Sequence, residues 1–233
     1  MDERIAVVGG GLAGALMAAY LGKRGYEVDV LELRPDPRTA EAARGRSINL
    51  AISTRGIRAL ARAGIVDEVL AEAVPMYGRM LHDERGGLRF QRYGRQGQAI
   101  NSVSRNGLNC KLIEAAERLG NVRFHFASKL ERIDLFEGRL SIAGGSEIQA
   151  AAVIGADGAF SAVRREMQRQ DRFDFSQNYL AHGYKELTIP PAEGGGFRME
   201  PNALHIWPRG GFMMIALPNY DGSYTGTLFW PFD

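Results

Sequence analysis

Apolar positions near the start of the chain change period twice, and the changes mark three elements. Arg4–Val8 is a short, nearly continuous apolar run, the pattern of a buried strand. From Leu12 to Arg24 the apolar positions Leu12, Leu16, Ala19 and Tyr20 recur at helical spacing, and Gly25 supplies a stop. Glu27–Leu33 then alternates into a second strand, closing a β-α-β unit of about thirty residues. A basic, proline-containing loop runs from Arg34 to Arg46. Ser47–Ile52 reads as a strand, after which Ser53 or Thr54 caps a helix with Ile57, Leu60 and Ala61 on one face.

Further along, Gly78–His82 and Leu88–Tyr93 read as strands around the turn Asp83–Gly87. Ser102–Arg105 leads into a helix with Leu108, Leu112, Ala115 and Leu119 spaced for burial. Val122–Phe126 returns as a strand, and Lys129–Leu135 with Leu140–Ile142 forms a hairpin. Ala151–Gly155 is a strand of small residues that turns into a short helix near Ser161–Met167. After about residue 175 the pattern becomes β-rich and aromatic. Gly183–Ile189, Leu204–Pro208, Phe212–Leu217 and Ser223–Trp230 are separated by glycine-containing turns. The fold class that emerges is α/β, with a Rossmann-like domain over 1–175 and a β-sheet domain over 176–233.

The turn between the first strand and helix carries the first candidate chemistry. Gly9-Gly10-Gly11-Leu12-Ala13-Gly14 has the GxGxxG spacing. Gly9 permits the sharp turn, Gly11 lets a pyrophosphate approach the backbone, and Gly14 lets helix and sheet pack closely. The helix N-terminus, beginning at Leu12 and Ala13, offers unpaired N–H groups and a partial positive charge to phosphates. Glu32, at the end of the second strand, stands where a carboxylate accepts from ribose hydroxyls, with Arg34 just beyond. A glycine-rich turn alone would be weak evidence. Strand, helix and acid together point to the ADP half of a dinucleotide, without saying which one.

Composition narrows the rest by exclusion. Lys and Arg number 29 against 27 Asp and Glu, and the net charge of +2 argues against nucleic acid as a partner. Lysine occurs only at Lys23, Lys111, Lys129 and Lys185, so a carboxylate or phosphate here meets mainly guanidinium forks. The single cysteine, Cys110, excludes a disulfide framework and a cysteine-rich metal site. No apolar run approaches the roughly 18 residues of a membrane span. The N-terminus enters a strand directly, so the expected location is cytoplasmic. No nucleophile with a base partner is evident, and no metal site.

Three segments choose between dinucleotides. Glu32-Leu33-Arg34 is followed by a long loop rather than a further β-α unit, unlike a simple dehydrogenase. The segment from Gly155-Ala156-Asp157-Gly158 to Ser161-Ala162-Val163-Arg164 resembles the GADGxxSxVR signature of the flavin-dependent aromatic hydroxylases. Within that class the chain resembles the kynurenine 3-monooxygenase family over its whole length. The strings that carry this are Gly45-Arg46-Ser47-Ile48-Asn49-Leu50-Ala51, Gly78-Arg79-Met80, Tyr93-Gly94-Arg95 and Ser102-Val103-Ser104-Arg105 with Leu108-Asn109. Later come His182 to Leu187, Glu200-Pro201-Asn202-Ala203-Leu204-His205-Ile206-Trp207-Pro208, Met213 to Asn219 and Thr227-Leu228-Phe229.

The resemblance implies FAD as cofactor, NADPH as reductant, and hydroxylation of L-kynurenine to 3-hydroxykynurenine by O₂ through a flavin C4a-hydroperoxide. The flavin carries the chemistry, so no catalytic side chain is expected. Arg79 and Tyr93 match the residues that take the substrate carboxylate. Ala51, Ile100, Leu204, Met213, Ile215, Leu217 and Phe229 match an apolar slot for the ring. Of these, Met213, Ile215 and Leu217 fall on one strand face by the period-two rule. Arg105 matches a residue that contacts FAD, and Asp157 lies in a segment beside the pyrophosphate. His182 and His205 are read as structural.

The family pattern continues past position 233, with a GDAAH-type segment, a loop over the flavin and closing helices. No Gly-Asp pair occurs in this chain. The expectation is therefore an N-terminal portion, truncated before the C-terminal FAD-binding segment, that holds FAD weakly and does not turn over alone. Its final strand is expected to leave Leu228, Phe229 and Trp230 uncovered. Two alternatives stay open: a related FAD hydroxylase for another aromatic acid, and a flavin-binding fragment without turnover. Oligomeric state is not legible.

Overall fold

The computed structural model describes residues 4–39 and 48–232. Gly45, Arg46 and Ser47, used above in a family string and as the start of a strand, lie outside the described residues. Two compact units emerge. The first holds described residues 4–39, 62–65 and 108–177, and the second 48–61, 66–107 and 178–232. The second unit thus takes far more of the chain than the 176–233 expected. A single cut near residue 175 would divide a continuous sheet, because the strand Gly78–His82 pairs in parallel with Ala203–Arg209.

The first unit is built on a four-stranded parallel sheet of β1 (Arg4–Val8), β2 (Glu27–Leu31), β8 (Val122–His125) and β12 (Ala152–Gly155), in the order β12-β1-β2-β8. Ile5, Ala6, Val7 and Val8 are all buried, as a strand covered on both faces requires. One face packs on α1 (Leu12–Gly22) and α4 (Arg105–Glu117) through Val7, Ala18, Ala19, Val28, Val30, Ala116 and Val122. The other is covered by a meander of β9 (Leu130–Asp134), β10 (Arg139–Ile142) and β11 (Glu147–Gln149), and by α5 (Ala162–Met167).

The buried stripe of α1 is not the one its large apolar residues suggest. Gly14, Ala15, Ala18, Ala19 and Gly22 face inward, whereas Leu12, Leu16 and Tyr20 are only half-buried. Close approach to the sheet admits only small side chains on the inner face. In α4, Leu108, Leu112 and Ala115 are buried as expected, joined by Ile113 and Ala116, but Leu119 lies past the helix end and is exposed. Asp29 on β2 is buried and ionically held, with His125 Nε2 2.6 Å from Oδ1 and Arg4 Nε 3.4 Å from Oδ2.

The second unit contains two sheets. A three-stranded one joins β3 (Asn49–Ile52), β7 (Ile100–Ser104) and β4 (Val74–Met76), in the order β3-β7-β4. The larger, six-stranded sheet runs β13-β16-β15-β14-β5-β6, from β5 (Gly78–His82), β6 (Leu88–Arg92), β13 (His182–Ile189), β14 (Ala203–Arg209), β15 (Phe212–Pro218) and β16 (Tyr224–Pro231). Two short helices, α2 (Thr54–Ala63) and α3 (Val66–Leu70), complete the described elements. In α2, Leu60 is buried and Ile57 half-buried as the pattern expects, but Ala63 rather than the exposed Ala61 completes the inner face. The strands β4 and β11 and the helix α3 are too short for a periodic signal.

Candidate functional site

The glycine turn sits between β1 and α1. Gly9 has φ +104°, and a methyl on it would lie 2.5 Å from the Ala156 carbonyl oxygen. A methyl on Gly14 would lie 1.8 Å from the Gly9 carbonyl oxygen, which no rotamer relieves. Gly11 differs: a Cβ there would meet nothing within 4 Å. Two glycines thus close the packing and the third leaves open room at the mouth of the turn. Gly11 is also the N-cap of α1, with φ −70° and no side-chain capping bond. The first N–H groups of the helix, at Leu12, Ala13 and Gly14, have no intrahelical partner. Open space, free donors and the helix dipole form a cradle of the right chemistry for a pyrophosphate.

Glu32 follows β2 directly. Its Oε2 accepts from the Gly10 N–H at 2.7 Å, and its Oε1 accepts from the Arg34 N–H at 3.0 Å. The Arg34 guanidinium is exposed, with Nε 3.7 Å from Glu32 Oε1. Each carboxylate oxygen keeps acceptor capacity, so Glu32 can brace the turn and still receive a ribose hydroxyl. The following segment is pinned by Arg38, whose Nη2 donates to Asp36 Oδ2 and Nη1 to Glu117 Oε2, both at 2.6 Å. The hydrogen bond from Arg38 holds the Asp36 carboxyl below the usual range.

Asp157 does its work locally. Its Oδ1 accepts from Ser161 Oγ at 2.5 Å and its Oδ2 from the Ala162 N–H at 2.6 Å, capping α5. The Asp157 backbone, with Ala156, forms the wall against which Gly9 packs. The motif therefore shapes the turn through its main chain, while its carboxylate is occupied. Arg105 is exposed and opens α4, with its N–H donating to the Ile48 carbonyl at 3.0 Å. One residue quoted above only as part of a string also reaches the turn: Asn109 Nδ2 donates to the Gly10 carbonyl at 3.2 Å. Nothing local in sequence marks it, because the bond spans 99 positions.

The second unit gathers the expected substrate residues by strand register. Leu204 on β14 pairs with Arg79 on β5, and Ile206 with Ile215 on β15. Met213 pairs with both Pro208 and Phe229 on β16. Directly opposed residues share a face and so do alternate residues along a strand. Arg79, Leu204, Met213, Ile215, Leu217 and Phe229 therefore stand on one side of the six-stranded sheet. The Arg79 guanidinium carbon lies 5.9 Å from the centre of the Tyr93 ring. Burial pushes the Tyr93 hydroxyl up, against the opposing effect of Arg79. An exposed cation beside a phenol is suited to a carboxylate.

Ala51 and Ile100 lie on the three-stranded sheet instead. Ala51 pairs with Ser102, two residues from Ile100, so both share a face there. Asn49 Nδ2 donates to the Pro218 carbonyl at 3.3 Å, and Asn202 Nδ2 to the Pro75 carbonyl at 2.8 Å, tying the two sheets together.

His205 stands on the opposite face of the large sheet and is buried. Its Nε2 donates to the Glu200 carbonyl at 2.8 Å, which leaves Nδ1 to accept from His82 Nε2, also at 2.8 Å. Burial lowers the pKa of both imidazoles. Tyr224, in edge contact with His205, donates to the Met199 carbonyl at 2.6 Å and has its hydroxyl pushed up to about 12 by burial. This cluster is core. His182 is exposed, its Nε2 3.3 Å from the Gly211 carbonyl. At the end of β16, Trp230 and Phe232 are exposed, while Leu228 and Phe229 are half-buried.

The family model described as "FAD binding domain" matches residues 2–185. Kynurenine 3-monooxygenase of Anopheles gambiae is 52% identical over 234 residues, covering 98% of this chain and 48% of that protein. The enzymes of the same name from Dictyostelium discoideum and Sus scrofa are each 48% identical, covering 51% and 49% of their own lengths. The chain thus spans about half the length of the curated relatives it matches. Among solved structures, 2-methyl-3-hydroxypyridine-5-carboxylic acid oxygenase in its tetrameric form superposes with TM-score 0.80 at 22% identity, over 99% of this chain and 59% of that one. PqsL of P. aeruginosa in complex with 2-aminobenzoylacetate gives 0.78 at 19%, over 98% and 61%. Both establish the fold. No helix among the described residues is long and apolar enough to cross a membrane.

Proposed function

Because the chain belongs to the FAD binding domain family, we propose that its glycine turn holds the ADP half of FAD and that it is the N-terminal half of a kynurenine 3-monooxygenase. In this reading the pyrophosphate lies against the N–H groups of Gly11, Leu12, Ala13 and Gly14, and Glu32 receives the ribose hydroxyls. Arg34, Arg105 and the Asp157 segment are the remaining cofactor contacts. When bound, FAD supplies the redox and oxygen chemistry, with NADPH as reductant. One atom of O₂ enters the ring of L-kynurenine, giving 3-hydroxykynurenine, and the other leaves as water. The protein's part is to hold and orient.

Arg79 and the Tyr93 hydroxyl take the substrate carboxylate, and Leu204, Met213, Ile215, Leu217 and Phe229 offer the ring an apolar surface, with Ala51 and Ile100 contributing from the smaller sheet. The observation that carries this reading is the common face shared by Arg79 and those apolar residues. A carboxylate grip and an apolar wall on one surface suit an aromatic acid. The high identity to enzymes named for kynurenine supports L-kynurenine as that acid.

The test has two stages. The purified chain is titrated with FAD, and binding is read from flavin fluorescence and absorbance. L-Kynurenine is then titrated beside 4-hydroxybenzoate by calorimetry. Preferential binding of L-kynurenine supports the reading. Preference for the hydroxybenzoate points to a related hydroxylase, and failure to bind FAD overturns the cofactor assignment.

A further inference from the structure

Gly10 fills a position that the GxGxxG spacing leaves open, yet both of its polar groups are gripped. Its N–H donates to Glu32 Oε2 at 2.7 Å, and its carbonyl accepts from Asn109 Nδ2 at 3.2 Å. A methyl on Gly10 would lie 3.0 Å from the Glu32 Cβ, so a larger residue there would have to push the Glu32 side chain aside by a few tenths of an ångström. The grip from the other side comes from α4. Asn109 is unusual there, because its Oδ1 is buried without a hydrogen-bond partner among the described residues. An orphaned buried acceptor costs stability. A side chain kept for packing alone would do better without it, which directs attention to the donor end.

The Gly10 carbonyl and the Gly11 N–H belong to one peptide plane. All described peptide bonds are trans, so the two groups point in opposite directions. Drawing the carbonyl toward α4 turns the Gly11 N–H away from α4. Gly11 is also the residue with open space around it, and no described residue accepts from its N–H. We propose that Asn109 is a positioning residue of the cofactor site: by holding the Gly10 carbonyl it sets the peptide plane that presents the Gly11 N–H to the pyrophosphate. The inference rests on the reading that this turn holds FAD.

Asn109→Asp is the sharpest test. The side chain keeps its size, but a carboxylate repels the Gly10 carbonyl and attracts the Gly11 N–H, favouring the flipped plane. Asn109→Leu removes the tether and the orphaned acceptor together. Each variant is titrated with FAD and with ADP, and the thermal midpoint of the cofactor-free chain is recorded alongside. Losing one charge-assisted hydrogen bond weakens binding about tenfold, so both ligands bind Asn109→Asp about tenfold or more weakly. Asn109→Leu follows in the same direction with an unchanged or raised midpoint.

A purely structural asparagine gives the reverse, a lowered midpoint with affinity retained, and that result overturns the proposal. If Asn109→Asp does not fold, Asn109→Leu decides. A wild-type chain that binds neither FAD nor ADP overturns the cofactor reading and this inference with it. A wild type that binds, with both variants binding equally well, overturns the role of Asn109 alone.

Discussion

Gly11→Ala separates the binding role of the glycine turn from its folding role. The backbone at Gly11, φ −70° and ψ −174°, is one that alanine adopts without strain, and the added methyl meets nothing within 4 Å. Two small effects act on stability. Restricting the unfolded chain stabilises by about 0.4–1 kcal/mol, and replacing glycine by alanine at an N-cap costs about as much. They cancel to within about 1 kcal/mol, a shift of at most about 4 °C in the thermal midpoint for a chain of this size. Binding is another matter, because the methyl projects into the space assigned to the pyrophosphate. Displacing the phosphates by the reach of a methyl breaks about two charge-assisted hydrogen bonds, roughly 3 kcal/mol in all. FAD affinity falls roughly a hundredfold. Gly14→Ala is the control, since its methyl would stand 1.8 Å from the Gly9 oxygen and the helix must leave the sheet. It lowers the midpoint by several degrees, as overpacking does at about 1–3 kcal/mol. The assay is a fluorescence titration with FAD beside a thermal melt of each cofactor-free variant. Gly11→Ala binding FAD as the wild type does would refute the placement of the pyrophosphate.

Other consequences are open to direct measurement. Arg79→Ala weakens L-kynurenine binding by about 2–3 kcal/mol through loss of a charged hydrogen bond; unchanged affinity in calorimetry makes Arg79 an ordinary solvated strand residue. Glu32→Ala lowers FAD affinity while leaving L-kynurenine binding intact, and equal loss of both points to misfolding instead. His82 and His205 have folded-state pKa values below the ordinary 6.5. The unfolded chain therefore takes up protons first as pH falls, and their contribution to stability, complete above 6.5, is lost progressively below it. The thermal midpoint drops on acidification through that range, and His205→Gln flattens the drop; an unaltered slope assigns it to other groups.

Much of the first unit was legible locally. Strand, glycine turn, helix and acidic residue lie within some thirty positions, and each carries a pattern of period two or 3.6, or a backbone demand only glycine meets. The alternation of Met213, Ile215 and Leu217 likewise gave their common face. The domain boundary was not legible, because β5 joins β14 through backbone hydrogen bonds that have no side-chain signature. The inner face of α1 was misread for a related reason. The largest apolar residues normally mark the buried stripe, but here the helix lies too close to the sheet to admit them.

The sequence by itself determined that this chain carries a dinucleotide turn, and its longer strings singled out FAD and the kynurenine 3-monooxygenase family. Only the tertiary structure decided how the parts are held. It placed Arg79 beside Leu204 and Tyr93, turned the Asp157 carboxylate inward to cap α5, and brought Asn109 across 99 positions to the Gly10 carbonyl. The physical reason is the range of the interactions. Backbone conformation and amphipathic period act over neighbouring residues and leave their mark in the string, whereas register and hydrogen bonding between distant segments depend on where the folded chain brings them.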